Sequence, residues 1–434
     1  MTTALHPYIE SLLSGSRELP RSPQAWLDAR RGAALERANA LSVPTTRDEE
    51  WRFTDLTQLT RLALRQIGTP ASVDASAIAS RFVPEAGARL VFVDGTYVPA
   101  LSSESRGGIG VRVTALGAAL QSDAQSLEPW LAKLAPFESN VFVALNTAHL
   151  RDGAAVIVPK NAACEKPVHI LFIATQANTA SYPRCVVVAE SGSDCTVIEE
   201  YMALSDDAYF TNAVTEISVA ATARLRHIKL QQENAKAFHI ATCSASVAKD
   251  ATYISQTVSL GARLSRYDLA VALNGQGSSA EMDGLALISA RQHADTHTLI
   301  DHAQPNGRSA QLHKTIVDGA AHAVFNGKIF VRPGAQLTDS SQQSRNLLLS
   351  DKATVDTKPQ LEIFADDVKC AHGATVGQLD AEQLFYLTSR GLPERAARNL
   401  LTYAFGAAVI ERIPVRSVVE RLERAVMAQT GAAA

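Results

Sequence analysis

Between Arg89 and Val376 the chain is a succession of short apolar runs: RLVFV at 89–93, AAVIVP at 154–159, VHILFIA at 168–174, CVVVA at 185–189 and TVIEEY at 196–201, followed by VTEISVA at 214–220 and RLRHIKL at 224–230. Gly, Asn, Asp or Pro stands between most of them. Many alternate apolar with polar residues, the period-two pattern of half-buried strands. A single β-sandwich consumes roughly 100 residues, so a stretch this long demands several sandwiches or one long β-solenoid. No exact repeat at a fixed period is visible, and a fixed period is the usual mark of a solenoid. Periodicity alone leaves both architectures open.

On either side of this stretch the pattern turns helical. Ser22-Pro23 offers an N-cap and a first helical proline. The following AWLDARRGAALERANAL places Trp26, Ala29, Ala33 and Ala40 or Leu41 at helical spacing and must stop by Pro44. RDEEWRFTDL, 47–56, joins a charged run to two aromatics and is expected to dock the N-terminal part on the rest. Beyond Val376, Asp380 with Gln383 and Ser417 with Glu420 resemble capping boxes. Ala397, Leu400, Leu401, Ala404, Phe405 and Ala408 form an apolar stripe. Gly406 within that helix suggests close approach by another segment. The expected division is a helical region over 1–80, a β-rich core over 81–378 and a helical region over 379–434. Because the strand pattern ends by Val376, the last region is expected to be removable without unfolding the core.

The composition excludes several classes of function. The 434 residues suggest about three domains. Lys and Arg total 41 against 44 Asp and Glu, a net charge of −3 without a basic block, so no nucleic-acid footprint is present. Apolar residues make up 46%, enough for a sizeable core, yet no run is long enough to span a membrane. The first residues carry no basic, then apolar, leader, and a cytoplasmic protein is expected. The cysteines stand at 164, 185, 195, 243 and 370 with no Cys-x-x-Cys, so they encode neither a zinc ribbon nor a thioredoxin-type couple. A P-loop, a G-x-G-x-x-G and a G-x-S-x-G are all missing, so neither ATP hydrolysis, Rossmann-type dinucleotide binding nor serine-hydrolase chemistry is expected.

The one constellation with evident chemistry is DDVKCAHGATVG, 366–377. As a strand it puts Val368, Cys370, His372, Ala374 and Val376 on one face. A neighbouring thiolate and imidazole suit iron or zinc, or form an activated nucleophile pair. The competing reading makes Cys370 a small buried hydrophobe among apolar neighbours. Two ligands do not close a four-coordinate site, so a metal role requires further ligands from a partner chain. HADTHTLIDH, 293–302, places His293, Asp295 and His297 on one strand face, expected to be a solvated outer face. The other cysteines are expected in the core, and Glu190, Glu199 and Glu200 contain no evident acid–base pair.

The run FNGKIFVRPGAQLTDSSQQSRNLLLSDKATVDTKPQLEIFADDVKCAHGATVGQLDAEQLFYLTSRGL, 325–392, resembles the C-terminal signature of the SufB/SufD family of iron–sulfur cluster assembly proteins. EEWRFTDL at 49–56, FVDGTYVP at 92–99 and LNTAHLRDGAAVIVP at 145–159 support the resemblance. Within the family, HGATVG after the Cys-x-His is similar to the SufD branch; SufB-type chains usually read His-Glu-Ala there and are longer. The resemblance implies a mainly β fold, a right-handed parallel β-helix flanked by N- and C-terminal helical domains. It also implies a scaffold subunit that pairs with a SufB-like subunit through the β-helix ends and binds a SufC-like ATPase through its C-terminal helices. Leu384, Leu387, Arg390, Gly391, Leu400 and Phe405 are the candidate contacts for that ATPase. His372 corresponds to the family's interface histidine and Cys370 is its neighbour, so both become candidate metal ligands. Iron or an iron–sulfur cluster is expected there only transiently, with no cofactor held stably by the isolated chain, for which a homodimer is possible. The alternatives are a purely structural adaptor and a polysaccharide-active β-solenoid; the latter would want a groove of carboxylates and aromatics, whereas aromatics here are only 6%.

Overall fold

The computed structural model describes residues 7–17, 19, 21–103 and 110–431. Its strands coil into a β-solenoid of about eight turns. Most turns contribute one strand to each of two ten-stranded sheets. Apart from the antiparallel pairs Ala88–Val93 with Thr96–Tyr97 and Arg112–Ala115 with Gly153–Val158, neighbouring strands within a sheet come from successive turns and run parallel. Thr252–Ser259 lies between Arg224–Gln232 and Ser279–Ile288 in the first sheet, and Leu264–Leu273 between Phe238–Val247 and His293–His302 in the second. From Gly153 onward the spacing between register partners ranges from 26 residues (Phe238 beside Leu264) to 32 (His322 beside Thr354). Unequal turns explain why no fixed period shows in the sequence. The corners absorb the difference, with left-handed residues such as Asp250 and Asn306 at φ of 55° and 61°. Asn, Asp and Gly tolerate that region best, hence the punctuation between strands.

Side chains at alternate positions point inward and stack from turn to turn. Phe92, Phe172 and Tyr201 form one such column with ring centroids 4.9 Å apart at each step, the distance between neighbouring strands. Cys185, Cys195 and Cys243 are buried in this core, as expected. The interior also encloses charge. Glu199 accepts hydrogen bonds from Tyr201 (2.7 Å) and Thr215 (2.8 Å) and pairs with His227 at 3.1 Å. Burial alone would raise its carboxyl, but His227, with Lys229 and Tyr201, outweighs burial and brings it down to about 2.

The N-terminal helices Pro7–Arg17 and Ala25–Ala40 pack with Val141–Ala148 on the outside of the second sheet, sharing a core of Ile9, Leu12, Ala34, Ala38, Leu145 and Phe210. The second of these begins at Ala25, two residues after the proline, and buries Leu27, Ala34 and Ala38 rather than Trp26, Ala29 and Ala33. Its inward face is set by the docking of Arg31, whose guanidinium donates to Leu150 O at 2.6 Å.

At the other end, helices Ala381–Ser389, Glu394–Ile410 and Arg416–Gly431 follow the last strand. Asp380 caps the first, accepting from the N–H groups of Glu382 and Gln383. The Ser417–Glu420 capping box does not form: Ser417 bonds Glu85 across the molecule, and Glu420 pairs with Arg416. The last two helices bury Val409, Ile410, Val418, Leu422 and Val426 against Ile198, Ile228, Leu285 and Ile316 of the first sheet. The buried face of Glu394–Ile410 is therefore rotated from the expected stripe. Thr402 is buried while Leu400 and Ala404 are exposed; Gly406 lies on the buried face, where an added Cβ would make ordinary contact at 3.5 Å with Leu285 and Ile316. No described helix is long and apolar enough to cross a membrane.

Candidate functional site at the last turn

Val368–Gly377 ends the first sheet and Thr354–Ile363 ends the second. Each therefore presents an unpaired edge of backbone N–H and C=O groups. In the preceding strand Ser340, Gln342, Ser344 and Asn346 are buried. Their register partners are Cys370, His372, Ala374 and Val376. The structure thus brings Cys370 and His372 onto one face, but the burial expected of that face is absent. His372, Ala374 and Val376 are exposed because no later strand of the described chain closes the solenoid here. Cys370 is half-buried against Ile329, Val331, Ala335 and Ala365. Burial, aided by Asp339, pushes its thiol up, so it is held as a protonated thiol rather than a ready thiolate. Leu337, Ile363, Phe364 and Val376 are exposed large apolar side chains around the same end. Among the described residues no three His, Cys, Asp or Glu side chains are arranged to hold a metal ion.

The candidate ATPase contacts separate into two groups. Leu384 and Leu387 are half-buried and Arg390 is exposed, its guanidinium 5.3 Å from the ring of Tyr386. Gly391, at φ +94°, follows the end of Ala381–Ser389 and stops it. Leu400 is exposed. Phe405 belongs elsewhere: it is half-buried beneath Lys314, whose ammonium lies 4.7 Å from the ring and donates to Phe405 O at 2.8 Å. The sequence reading missed Phe385 and Tyr386, the former 74% exposed. No residue of Ala381–Ser389 is fully buried, and its two adjacent aromatics lie on the exposed side, away from the half-buried Leu384 and Leu387.

His293, Asp295 and His297 do share an outer strand face, but that face is covered rather than solvated. The segment 47–56 lies over it, as its aromatics led one to expect: Trp51 packs on Phe142 and under the Arg266 guanidinium. Thr54 donates to Asp295 at 2.6 Å, and His297 bridges Asp295 (3.0 Å) and Glu50 (3.2 Å). Arg266 completes the group, 2.6 Å from Asp295. Burial lowers His297, yet Asp295 and Glu50 prevail and raise it to about 9.

The chain is thus a parallel β-solenoid with helices at both ends and an open last turn carrying Cys370 and His372. Comparison with known proteins places it. Residues 172–405 match the model of the SufBD core domain of the SUF system for iron–sulfur cluster assembly, and residues 4–170 match the SufBD N-terminal region. The chain is 38% identical to an iron–sulfur cluster assembly SufBD family protein of Synechocystis sp. over 93% of its length and 91% of the relative's. It is 37% identical to the iron–sulfur cluster assembly protein SufD of Escherichia coli over 95% and 92%. It is 28% identical to SufD of Bacillus subtilis over 92% of each. The chain belongs to the SufBD family.

Proposed function

We propose that this chain is a SufD-type scaffold subunit of a cytoplasmic iron–sulfur cluster assembly complex, itself without catalytic activity, pairing with a SufB-like subunit and a SufC-like ATPase. The observation that carries the proposal is the open last turn. Two unpaired sheet edges and an apolar rim of Leu337, Ile363, Phe364 and Val376 suit the end of a second β-solenoid, which would continue the backbone ladder. Cys370 and His372 then lie at the junction, two ligands short of a closed tetrahedral shell, with the remainder supplied by the partner. Iron and sulfur are substrates of this site, held only while a cluster is built. The thiol must lose its proton to ligate, and an incoming cation lowers its pKa.

The chain has no P-loop, so the energy for any rearrangement comes from the separate ATPase. Its docking surface is Ala381–Ser389 with Leu400, where Phe385, Tyr386 and Arg390 are exposed beside the half-buried Leu384 and Leu387. Dimerisation of two ATPase subunits would pull on these helices and shift the two solenoids, uncovering the half-buried Cys370. Co-expression with untagged SufB-like and SufC-like subunits, followed by pull-down and iron and sulfide analysis, tests the reading. A stoichiometric complex that accumulates cluster supports it; the chain purifying without either partner contradicts it. The isolated chain should show no ATPase activity.

A further inference from the structure

Ala163 and Asp194 form an isolated parallel β-bridge, closed by Cys164 N–H to Asp194 O at 2.7 Å and Asp194 N–H to Ala162 O at 3.0 Å. The next pair along the two segments is Cys164 beside Cys195. Strands so paired lie ~4.8 Å apart, inside the range of about 4.4–6.8 Å between Cα atoms that a disulfide accepts. Cys164 packs against the core that holds Cys195, and the two thiols are chemically unequal. Cys195 lies in the solenoid core, its thiol donating to Thr196 O at 3.7 Å, and the neighbouring Cys164 thiol and then burial hold its proton firmly. Cys164 is only half-buried, and the neighbouring Cys195 thiol lowers its pKa. A half-exposed thiol thus stands beside a buried, protonated one. Cys185 and Cys243 do not share this arrangement, since Thr215 stands between them in the sheet.

We propose that Cys164 and Cys195 are a thiol–disulfide exchange site that accepts the sulfane sulfur of a small persulfide and releases it as sulfide. The Cys164 thiolate attacks the sulfane sulfur of R–S–SH; that S–S bond breaks, R–S⁻ departs, and Cys164 carries –S–SH. The Cys195 sulfur then attacks the inner sulfur, the Cys195 proton goes to the departing HS⁻, and the Cys164–Cys195 disulfide closes. The dithiol gives up two electrons and the sulfane sulfur gains them. Two thiols of a soluble dithiol reductant restore the site. The half-exposed position of Cys164 admits a small donor, and the short span between the segments lets Cys195 resolve the intermediate without movement of the sheet. Cluster building consumes sulfur at the sulfide level, which gives this chemistry a use in a SufBD protein. The inference stands on this pair alone. Cys195 lies on a strand six steps along the sheet from that of Cys370, about 29 Å at the usual strand spacing.

The test uses the full-length reduced chain with Cys370→Ala, which silences the other half-buried thiol. Glutathione persulfide is added, with sulfide assay and non-reducing peptide mapping. One sulfide per chain above the protein-free control, with loss of two hydrogens across Cys164 and Cys195, is expected. Cys195→Ser and Cys195→Ala should both stop with one extra sulfur on Cys164 and no sulfide above control; Cys164→Ser should show neither. A parallel arm with oxidised glutathione should close the same disulfide without sulfide. Sulfide release unchanged in Cys164→Ser would overturn the proposal. So would a folded wild-type pair that closes with oxidised glutathione but yields no sulfide from the persulfide. Cluster yield in the reconstituted complex is a separate measurement, so failure here leaves the last-turn site standing.

Discussion

His297 shows how a single side chain ties the N-terminal segment to the solenoid. Its imidazolium is held between Asp295 and Glu50, with a pKa raised from 6.5 to about 9. The folded state therefore binds this proton more tightly than the unfolded chain. The resulting stability is complete below about pH 6.5 and is lost as the pH rises through about 9. A shift of this size corresponds to roughly 3 kcal/mol. His227, also raised to about 9 through Cys243 and Glu199 against the effect of burial, contributes with the same sign. The urea midpoint should fall between pH 6.5 and 9, and His297→Gln should remove its share of the slope while leaving that of His227. An unchanged slope in the variant would show that the bridge is not holding the proton. Cys370, half-buried beside Ile329 and Val331, should tolerate Ala with a loss of about 1 kcal/mol or less in stability; a loss of cluster yield without further loss of stability would mark it as a ligand.

Among the elements, two glycines separate tight packing from mere proximity. A Cβ at Gly261 would stand 2.1 Å from the carbonyl oxygen of Glu233 in the preceding turn, a backbone atom that cannot move aside. Gly261→Ala should cost about 2–3 kcal/mol. At Gly406 the same Cβ would make ordinary contact, so Gly406→Ala should stabilise the helix by up to ~1 kcal/mol and raise the melting temperature. A reversed order of the two would contradict the packing described. The strands were legible because alternation and Gly/Asn punctuation are local signals. The pairing was not, since turns of 26 to 32 residues leave no period to find, and only the family resemblance resolved it. Helix existence was legible, but the inward faces were not. Ala-rich helices such as Ala25–Ala40 have weak stripes, and long-range contacts, such as that of Arg31 with Leu150 and that of Val409 and Ile410 with the first sheet, set their rotation. The alternation that joined Cys370 to His372 was readable; their exposure was not, because it depends on where the solenoid stops. The same limit hid the burial of Asp295, which rests on a segment 241 residues away in sequence.

At the scale of the whole molecule, the C-terminal helices are part of the solenoid's packing. Their apolar face covers Ile198, Ile228, Leu285 and Ile316, so deleting Asp380–Ala434 would strip the first sheet and is now expected to destabilise or aggregate the chain. That corrects the expectation of a removable unit and changes the experiment. Phe385→Glu with Tyr386→Glu alters only the exposed helix. It should weaken pull-down of the ATPase subunit at least tenfold, about 1.4 kcal/mol or more, with the melting temperature unchanged. Full retention of the ATPase would move its docking surface elsewhere.

The most direct test of the last-turn site is cluster content in the reconstituted complex carrying His372→Ala. One imidazole on an exposed strand contributes little to a large interface, so the complex should assemble with normal stoichiometry and melting temperature. Its iron and sulfide content after a standard assembly reaction should fall well below that of the wild-type complex. Undiminished cluster yield from the intact His372→Ala complex would contradict the site and leave the chain a structural adaptor.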